Sequence, residues 1–416
     1  MHQPAMKHAR PTVLYAAAVR DAVGINASPG AVLVQQGRVV AAGEPGRLPE
    51  GLVEQAEVIE RPKHLLLPAM INAHTHLGLT SIGPQPFDPT GGFVGWVKTV
   101  RHHQRESDAS RYGAGLASVK LGKEHLEQSG IQAVGDIAHH PGFALLRGSQ
   151  LMGVTFVELF GLGAPHAPQD LETTVAKAQG LQPHAPYSAG PAVYEAAARS
   201  GLPVSTHLAE TVDECVFVAE CDGPQLSYLR EIGKWDQSFS EHYGQGLTPV
   251  QWMRPYLETV ADVGGWLVAH CNYVGDDDIT ILADTNTSVA YCPLASEYFG
   301  HKDHRYRDML DVGINVCLGT DSIVGTDPKD PQPLGLLSAM RRLYQRDQTD
   351  PGTLLAMATT HGAKALRLDD SLATLQPGAP ARFACIPIDP ESSVDPFVQV
   401  LTGQNAIEAI SFDLPA

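Results

Sequence analysis

Leu65-Leu66-Leu67-Pro68-Ala69-Met70-Ile71-Asn72-Ala73-His74-Thr75-His76 runs from apolar sequence straight into two histidines one residue apart. A short apolar run bounded by polar or turn residues reads as a buried strand. Side chains alternate along a strand, so His74 and His76 face the same side of its end. Two imidazoles on one face suit a metal of the zinc or iron type. Alone, the pattern also reads as two buried, hydrogen-bonded histidines, so its weight comes from the rest of the chain.

Working outward, seven more runs have the same character: Ile131–Ala138, Val154–Gly161, Leu181–Ser188, Pro203–Glu210, Gly265–Asn272, Ser288–Pro293 and Asn315–Ser322. Segments with helical spacing, such as Tyr112–Ser129 and Pro191–Ser200, lie between most of them. Strands alternating with helices in this number predict an α/β fold, a (β/α)8 TIM barrel over 65–366. In that fold the C-terminal strand ends share one face, where active sites lie. His207 ends the fifth run, His270 the sixth and Asp321 the eighth. A carboxylate ending an apolar strand is costly to bury unpaired, and a cation offsets that cost. The conjunction therefore predicts a shared divalent metal site, Zn²⁺ ahead of Fe²⁺, held by His74, His76, His207 and Asp321. Glu210, three residues past His207, is expected to shuttle protons. His270 is expected to donate a hydrogen bond to the nucleophile or the developing oxyanion, and Asp321 to orient the attacking water and take its proton.

The flanks differ in texture. Thr12–Ile59 carries short β-like pieces, Ala31–Val34 and Arg38–Ala42, with turns at Gly30, Gly37 and Gly43, and the tail offers Ala381–Ile388. Residues 1–64 and 367–416 are expected to build one small β-sandwich domain from both termini. Two connections stand out. Gly78–Trp96 is rich in Pro and Gly and follows the first histidine pair. Thr211–Gly264 is long and aromatic, and is expected to hold two helices and a lid or partner surface.

Of 416 residues, 43% are hydrophobic and 18% charged, enough apolar material for a packed core. A net charge of −17 repels phosphate backbones and argues against nucleic acid as a partner. No apolar stretch is long enough to span a membrane. Met1–Pro11 is polar and basic and the apolar Val13–Val19 is short, so no signal peptide is expected. The six cysteines form no CxxC pair and read as reduced thiols of a cytoplasmic protein. A small-molecule substrate is the expected partner; a homo-oligomer is left open.

The motifs together resemble the amidohydrolase superfamily, in the metal-dependent deaminase and chlorohydrolase branch that includes cytosine, guanine, S-adenosylhomocysteine and aminofutalosine deaminases and triazine hydrolases. The resemblance rests on Pro68–His76, Pro183-His184-Ala185-Pro186-Tyr187-Ser188, His207-Leu208-Ala209-Glu210, His270, Leu318-Gly319-Thr320-Asp321-Ser322 and Ala358–Leu366. It covers nearly the whole chain in the family's order. It implies hydrolytic deamination of an amino-substituted heterocycle or nucleoside-like compound, aminofutalosine being one case. Amides, cyclic imides and chloro-substituents are the alternative leaving-group classes, and a non-catalytic scaffold a further one. Binuclear members bridge their metals with a carbamylated lysine after the third or fourth strand. Val157–Gly161 and His184–Tyr187 offer no lysine, so a single ion is expected, with Glu158 the remaining bridging candidate. His184 resembles a substrate contact of the family. Trp96 is a candidate for stacking on a ring and Ser322 for orienting Asp321 or touching substrate. Where nucleoside-acting members carry an Arg-Ser-Asn stretch, this chain reads Cys292–His301. His301, His304 and Arg305 nearby read as solvated loop residues, as do His102, His103, His139 and His140.

Overall fold

The computed structural model describes residues 10–106, 111–138, 151–162, 173–330 and 334–412, so His139 and His140 lie outside the described residues. Two four-stranded parallel sheets form its centre. The first holds Met70–Thr75, Ile131–Ala138, Met152–Leu159 and Gly180–Pro183, each paired with its neighbour in sequence. The second holds Ser205–Leu208, Leu267–His270, Ser288–Tyr291 and Val316–Leu318 in the same fashion. The sheets meet at two seams. At one, Leu181 bridges Val204 and the His207 N–H donates to the His184 carbonyl at 2.9 Å. At the other, Thr75 bridges Asp321, and the N–H groups of Thr320 and Asp321 both donate to the His74 carbonyl at 3.1 Å.

Consecutive residues of these strands enter different apolar clusters. Val134, Val268, Val289 and Val316 join one cluster; their neighbours Ala133, Leu267, Ala290 and Cys317 join another. Both faces of each strand are therefore buried, which is why the runs read as continuously apolar rather than alternating. Each fully buried Val or Leu in these strands contributes roughly 1.5–3 kcal/mol.

The first apolar run is two strands, not one. Leu65–Pro68 completes the strand Glu57–Pro68, which pairs antiparallel with Arg382–Pro387. The parallel strand begins only at Met70, after Ala69 has donated to the Arg382 carbonyl at 2.9 Å. Apolarity is uninterrupted through the change of partner because both stretches are buried, so the sequence carries no mark of it.

The terminal pieces form a single seven-stranded mixed sheet rather than two stacked sheets. Its spine is Thr12–Arg20, parallel to Glu57–Pro68 and antiparallel to Gly30–Gln35; Arg38–Gly43 and Glu408–Ser411 are outer strands. Leu14, Val32, Leu66 and Phe383 pack against Leu375, Ala379 and Ala381. Val13, Ala31 and Leu33 pack against Leu48 and the short helix Glu50–Val53. Loop and helix thus supply the cover that a sandwich takes from its second sheet.

The long aromatic connection contains three α-helices, Val212–Glu220, Pro224–Glu231 and Pro249–Val260, one more than expected. The third is framed by a reciprocal cap: Thr248 Oγ1 accepts from the Gln251 N–H, and the Gln251 side chain accepts from the Thr248 N–H, each at 3.1 Å. All six cysteines are free thiols. Among the described residues, no helix is long and apolar enough to cross a membrane.

Candidate active site

The seam between the first and last parallel strands aligns the first donors. The Asn72 amide donates to Thr320 Oγ1 at 2.7 Å and its oxygen accepts from the Thr320 N–H at 3.2 Å. Thr75 Oγ1 donates to the Asp321 carbonyl at 2.8 Å. Gly319 makes the approach feasible: a Cβ there would lie 2.9 Å from the Cβ of His74 and from Cys292 Sγ. The result sets Asp321 Oδ1 3.4 Å from His76 Nε2 and 3.9 Å from His74 Nε2.

The opposite seam supplies His207, whose Nε2 lies 3.3 Å from His76 Nε2. Its Nδ1–H donates to the His184 carbonyl at 2.8 Å, leaving a lone pair on Nε2. The His270 ring is 5.4 Å from that of His207, and His270 Nε2 stands 3.6 Å from Glu210 Oε1. Two ligand-capable trios result: His74 with His76 and His207, and Glu210 with His270 and Asp321. Glu158, His184 and His207 form a third.

A divalent cation fits this donor set. His74 has no exposed surface, and neither of its ring nitrogens has a hydrogen-bond partner. An orphaned buried polar atom costs about 1–3 kcal/mol. Burial, with repulsion from His207, His76 and His270, holds the His74 pKa well below its usual value; burial likewise lowers that of His207. Neutral imidazoles keep the lone pairs that a cation requires. Burial pushes Asp321 up to about 7. It pushes Glu210 well above the usual carboxylate range, with Asp321 and Glu214 adding repulsion.

Glu214 is the residue that sequence reading missed. It is fully buried at the start of the helix Val212–Glu220, and its two carboxylate oxygens accept the N–H groups of Ala209 and Glu210 at 2.9 Å each. Burial raises its pKa to about 7 against the pull of those bonds. Ala209 is held at φ 50°, in the left-handed region. Three other strand-end residues share that conformation: His270 at 75°, Cys271 at 52° and Asp321 at 56°. Backbone in this region costs of order 1–3 kcal/mol per non-glycine residue and persists where the surroundings enforce it.

The site opens into a cavity of about 970 Å³. His76, His207, Glu210, His270 and Asp321 border it, as do His184, Trp96 and Ser322. His184 Nε2 lies 3.6 Å from Glu158 Oε1, and its Nδ1 meets Ser188 Oγ. Trp96 stacks on Phe93 with ring centroids 5.7 Å apart, and Ser322 is buried with no partner for its hydroxyl. The long connection forms a wall of the cavity through Gln225, Tyr228, Trp235 and Phe239. His304 is not a solvated loop residue: its Nε2–H donates to the His270 carbonyl at 2.7 Å and its ring stacks on Tyr291 at 3.7 Å. The spacing of Glu214, four residues past Glu210, was the one available hint of its role.

Residues 65–413 match the model of the amidohydrolase family. The chain belongs to the amidohydrolase family. Among curated amidohydrolases it is 25% identical over 378 residues to a 5-methylthioadenosine/S-adenosylhomocysteine deaminase of Halalkalibacterium halodurans, covering 85% of this chain and 79% of that one. It is 26% identical over 364 residues to an aminodeoxyfutalosine deaminase of Deinococcus radiodurans, covering 81% of each. Its fold is shared with Helicobacter pylori aminofutalosine deaminase, solved with methylthio-coformycin: TM-score 0.77, 20% identity, and coverage of 95% of this chain and 97% of that one.

Proposed function

We propose that the chain is a metal-dependent hydrolytic deaminase of an amino-substituted heterocycle, nucleoside-like in character, with aminofutalosine-type compounds in range. The observation that carries this reading is the packing of three imidazoles and Asp321 against the buried Glu210–His270 pair at one end of the cavity. Names of the curated amidohydrolases support the substrate class. The seams and strand order support a closed (β/α)8 barrel, with a second unit drawn from both ends of the chain that on the N-terminal side extends past 64 to Pro68.

His74, His76, His207 and Asp321 are the proposed ligands of a single ion, and three nitrogens with one carboxylate suit Zn²⁺. When bound, the ion supplies a water acidic enough to act as nucleophile near pH 7. Asp321 orients that water and accepts a proton from it. Glu210, whose protonated form burial favours, donates to the ring nitrogen as the C–O bond forms. The C–N bond then breaks and the amine leaves as ammonia, taking the proton that Asp321 or Glu210 relays. His270, neutral and facing Glu210, donates a hydrogen bond to the developing oxyanion. His184, Trp96 and Ser322 are the proposed substrate contacts. The setting is proposed to be cytoplasmic.

The test is ammonia release from a panel of amino-heterocycles and nucleosides, run with metal analysis. Glu210→Gln is expected to keep its metal and lose about 10²–10⁴-fold in turnover. Hydrolysis of amides or chloro-compounds, without release from any aminated ring, overturns the deaminase assignment.

A further inference from the structure

His270 leaves the strand Leu267–His270 at φ 75°, and Cys271 follows at 52°, two left-handed non-glycine residues in succession. The sheet holds only part of this turn. The Cys271 N–H donates to the Leu208 carbonyl at 2.9 Å, but pairing with the strand Ser288–Tyr291 stops at Ala269. The His270 carbonyl is taken from outside the sheet, by His304 Nε2 at 2.7 Å. The left-handed ends at Ala209 and Asp321 are braced in a like manner. Glu214 accepts the Ala209 N–H, and Thr75 Oγ1 donates to the Asp321 carbonyl.

His304 is itself firmly placed. It lies between the helices Pro293–Tyr298 and Tyr306–Asp311. Its ring stacks on Tyr291 with centroids 3.7 Å apart, and Tyr291 stacks in turn on Tyr306 at 5.3 Å. The Tyr291 hydroxyl accepts from Arg346 at 3.1 Å, and Arg346 is paired with Glu297 and Asp347. A carbonyl only accepts, so the proton of the His304 ring sits on Nε2. Burial lowers the His304 pKa to about 4, which leaves the ring neutral with that one N–H. His270 has no comparable anchor on its imidazole. Its Nε2 is buried without a hydrogen-bond partner among the described residues, 3.6 Å from Glu210 Oε1. The direction of that ring therefore follows from the backbone that carries it, and rotation of the 270–271 peptide swings it relative to Glu210.

We propose that His304 is a positioning residue: by donating to the His270 carbonyl it locks the left-handed strand end and aims the His270 imidazole at the reacting centre. His304 does not itself border the cavity, so it acts through His270 and touches no substrate. The inference rests on the role proposed for His270 and is indifferent to the leaving group.

The test compares two neutral amides that both lose the stack on Tyr291. His304→Gln places an N–H near the position of Nε2, whereas the amide of His304→Asn falls one carbon short. Ammonia release is measured from adenosine, 5′-methylthioadenosine and S-adenosylhomocysteine. His304→Asn is expected to lower kcat by about 10²-fold with KM and zinc content little changed, the cost of a misplacement near 1 Å. His304→Gln is expected to recover most of that loss. In a His270→Asn background, which tolerates positive φ, exchanging Gln for Asn at 304 is expected to change kcat by no more than about twofold. His304→Phe keeps the stack without the donor and replaces His304→Asn if the latter does not hold zinc. Equal kcat in the Gln and Asn variants, a change confined to KM, or a loss that persists in full without the His270 imidazole overturns the proposal. A second readout needs no turnover. In histidine-selective ¹⁵N NMR of zinc-loaded protein, the His270 ring signals, assigned by their disappearance in His270→Asn, are expected to stay sharp in His304→Gln and to broaden or split in His304→Asn. Identical His270 signals in the two variants also overturn it. Absence of ammonia from all three probes with the unsubstituted enzyme counts against the deaminase reading and leaves the NMR comparison to judge His304.

Discussion

Glu214 holds the backbone of Ala209 and Glu210 by two carboxylate–amide bonds of 2.9 Å, and its removal exposes how far Glu210, the proposed proton donor, depends on that clamp. Glu214→Ala leaves two buried N–H groups without acceptors, at about 1–3 kcal/mol each. The resulting loss of about 2–6 kcal/mol is a large part of a typical domain's stability. Glu214→Gln is the sharper perturbation. It keeps the volume and one acceptor but turns an NH₂ group toward the second N–H. Ala209, at φ 50°, or Glu210 beside it then loses the acceptor of its amide. A shift of about 1 Å in a reacting group costs on the order of 10²-fold in rate. Glu214→Gln is therefore expected to lower kcat by about that factor, with KM and metal content little changed, in steady-state ammonia release. An effect under threefold on kcat, in protein that still binds metal, refutes the clamp.

The same residue gives a pH signature. Its pKa is raised from 4.5 to about 7 in the folded chain, so the folded state holds the extra proton between those values. Glu214 thus contributes stability that is full below about 4.5 and is lost as pH rises through about 7, a difference of about 3 kcal/mol. Glutamine cannot titrate, so the stability gap between parent and Glu214→Gln should narrow over that window. A gap that does not change with pH in urea unfolding of metal-free protein contradicts it.

Gly319→Ala is expected to cost about 1–3 kcal/mol by overpacking against Cys292 Sγ and the Cβ of His74, and to loosen metal binding, as read by thermal unfolding and metal retention on dialysis. Chelation is expected to lower the melting temperature, because four of the site's donors lose the cation that offsets their burial; an unchanged melting temperature after verified metal removal argues against His74, His76, His207 and Asp321 as the ligand set.

The strand-and-helix order and the convergence of four strand ends were legible because both follow from local rules. Strand alternation fixed His74 relative to His76, and buried strands show themselves as apolar runs of limited length. What stayed hidden depends on partners remote in sequence. Leu65–Pro68 is as apolar as Met70–Ile71, so its pairing with Arg382–Pro387 left no trace. The cover of the terminal sheet comes from a loop and a four-residue helix, which periodicity does not register. Gln225 and Arg101 look like ordinary surface residues of helical segments; only the cavity they border sets them apart. His304 read as a loop residue because its partner is a backbone carbonyl, which no side-chain pattern announces.

The left-handed residues at the strand ends have a consequence for how this chain tolerates change. At Ala209, His270 and Asp321 the local backbone favours glycine, the residue that adopts positive φ without strain. A stabilisation scheme guided by conformational preference alone would place glycine at these positions. At two of them it would delete the imidazole and the carboxylate around which the site is built. Selection for thermal tolerance and selection for turnover are therefore set against each other at His270 and Asp321, and gains in stability must be sought away from the strand ends.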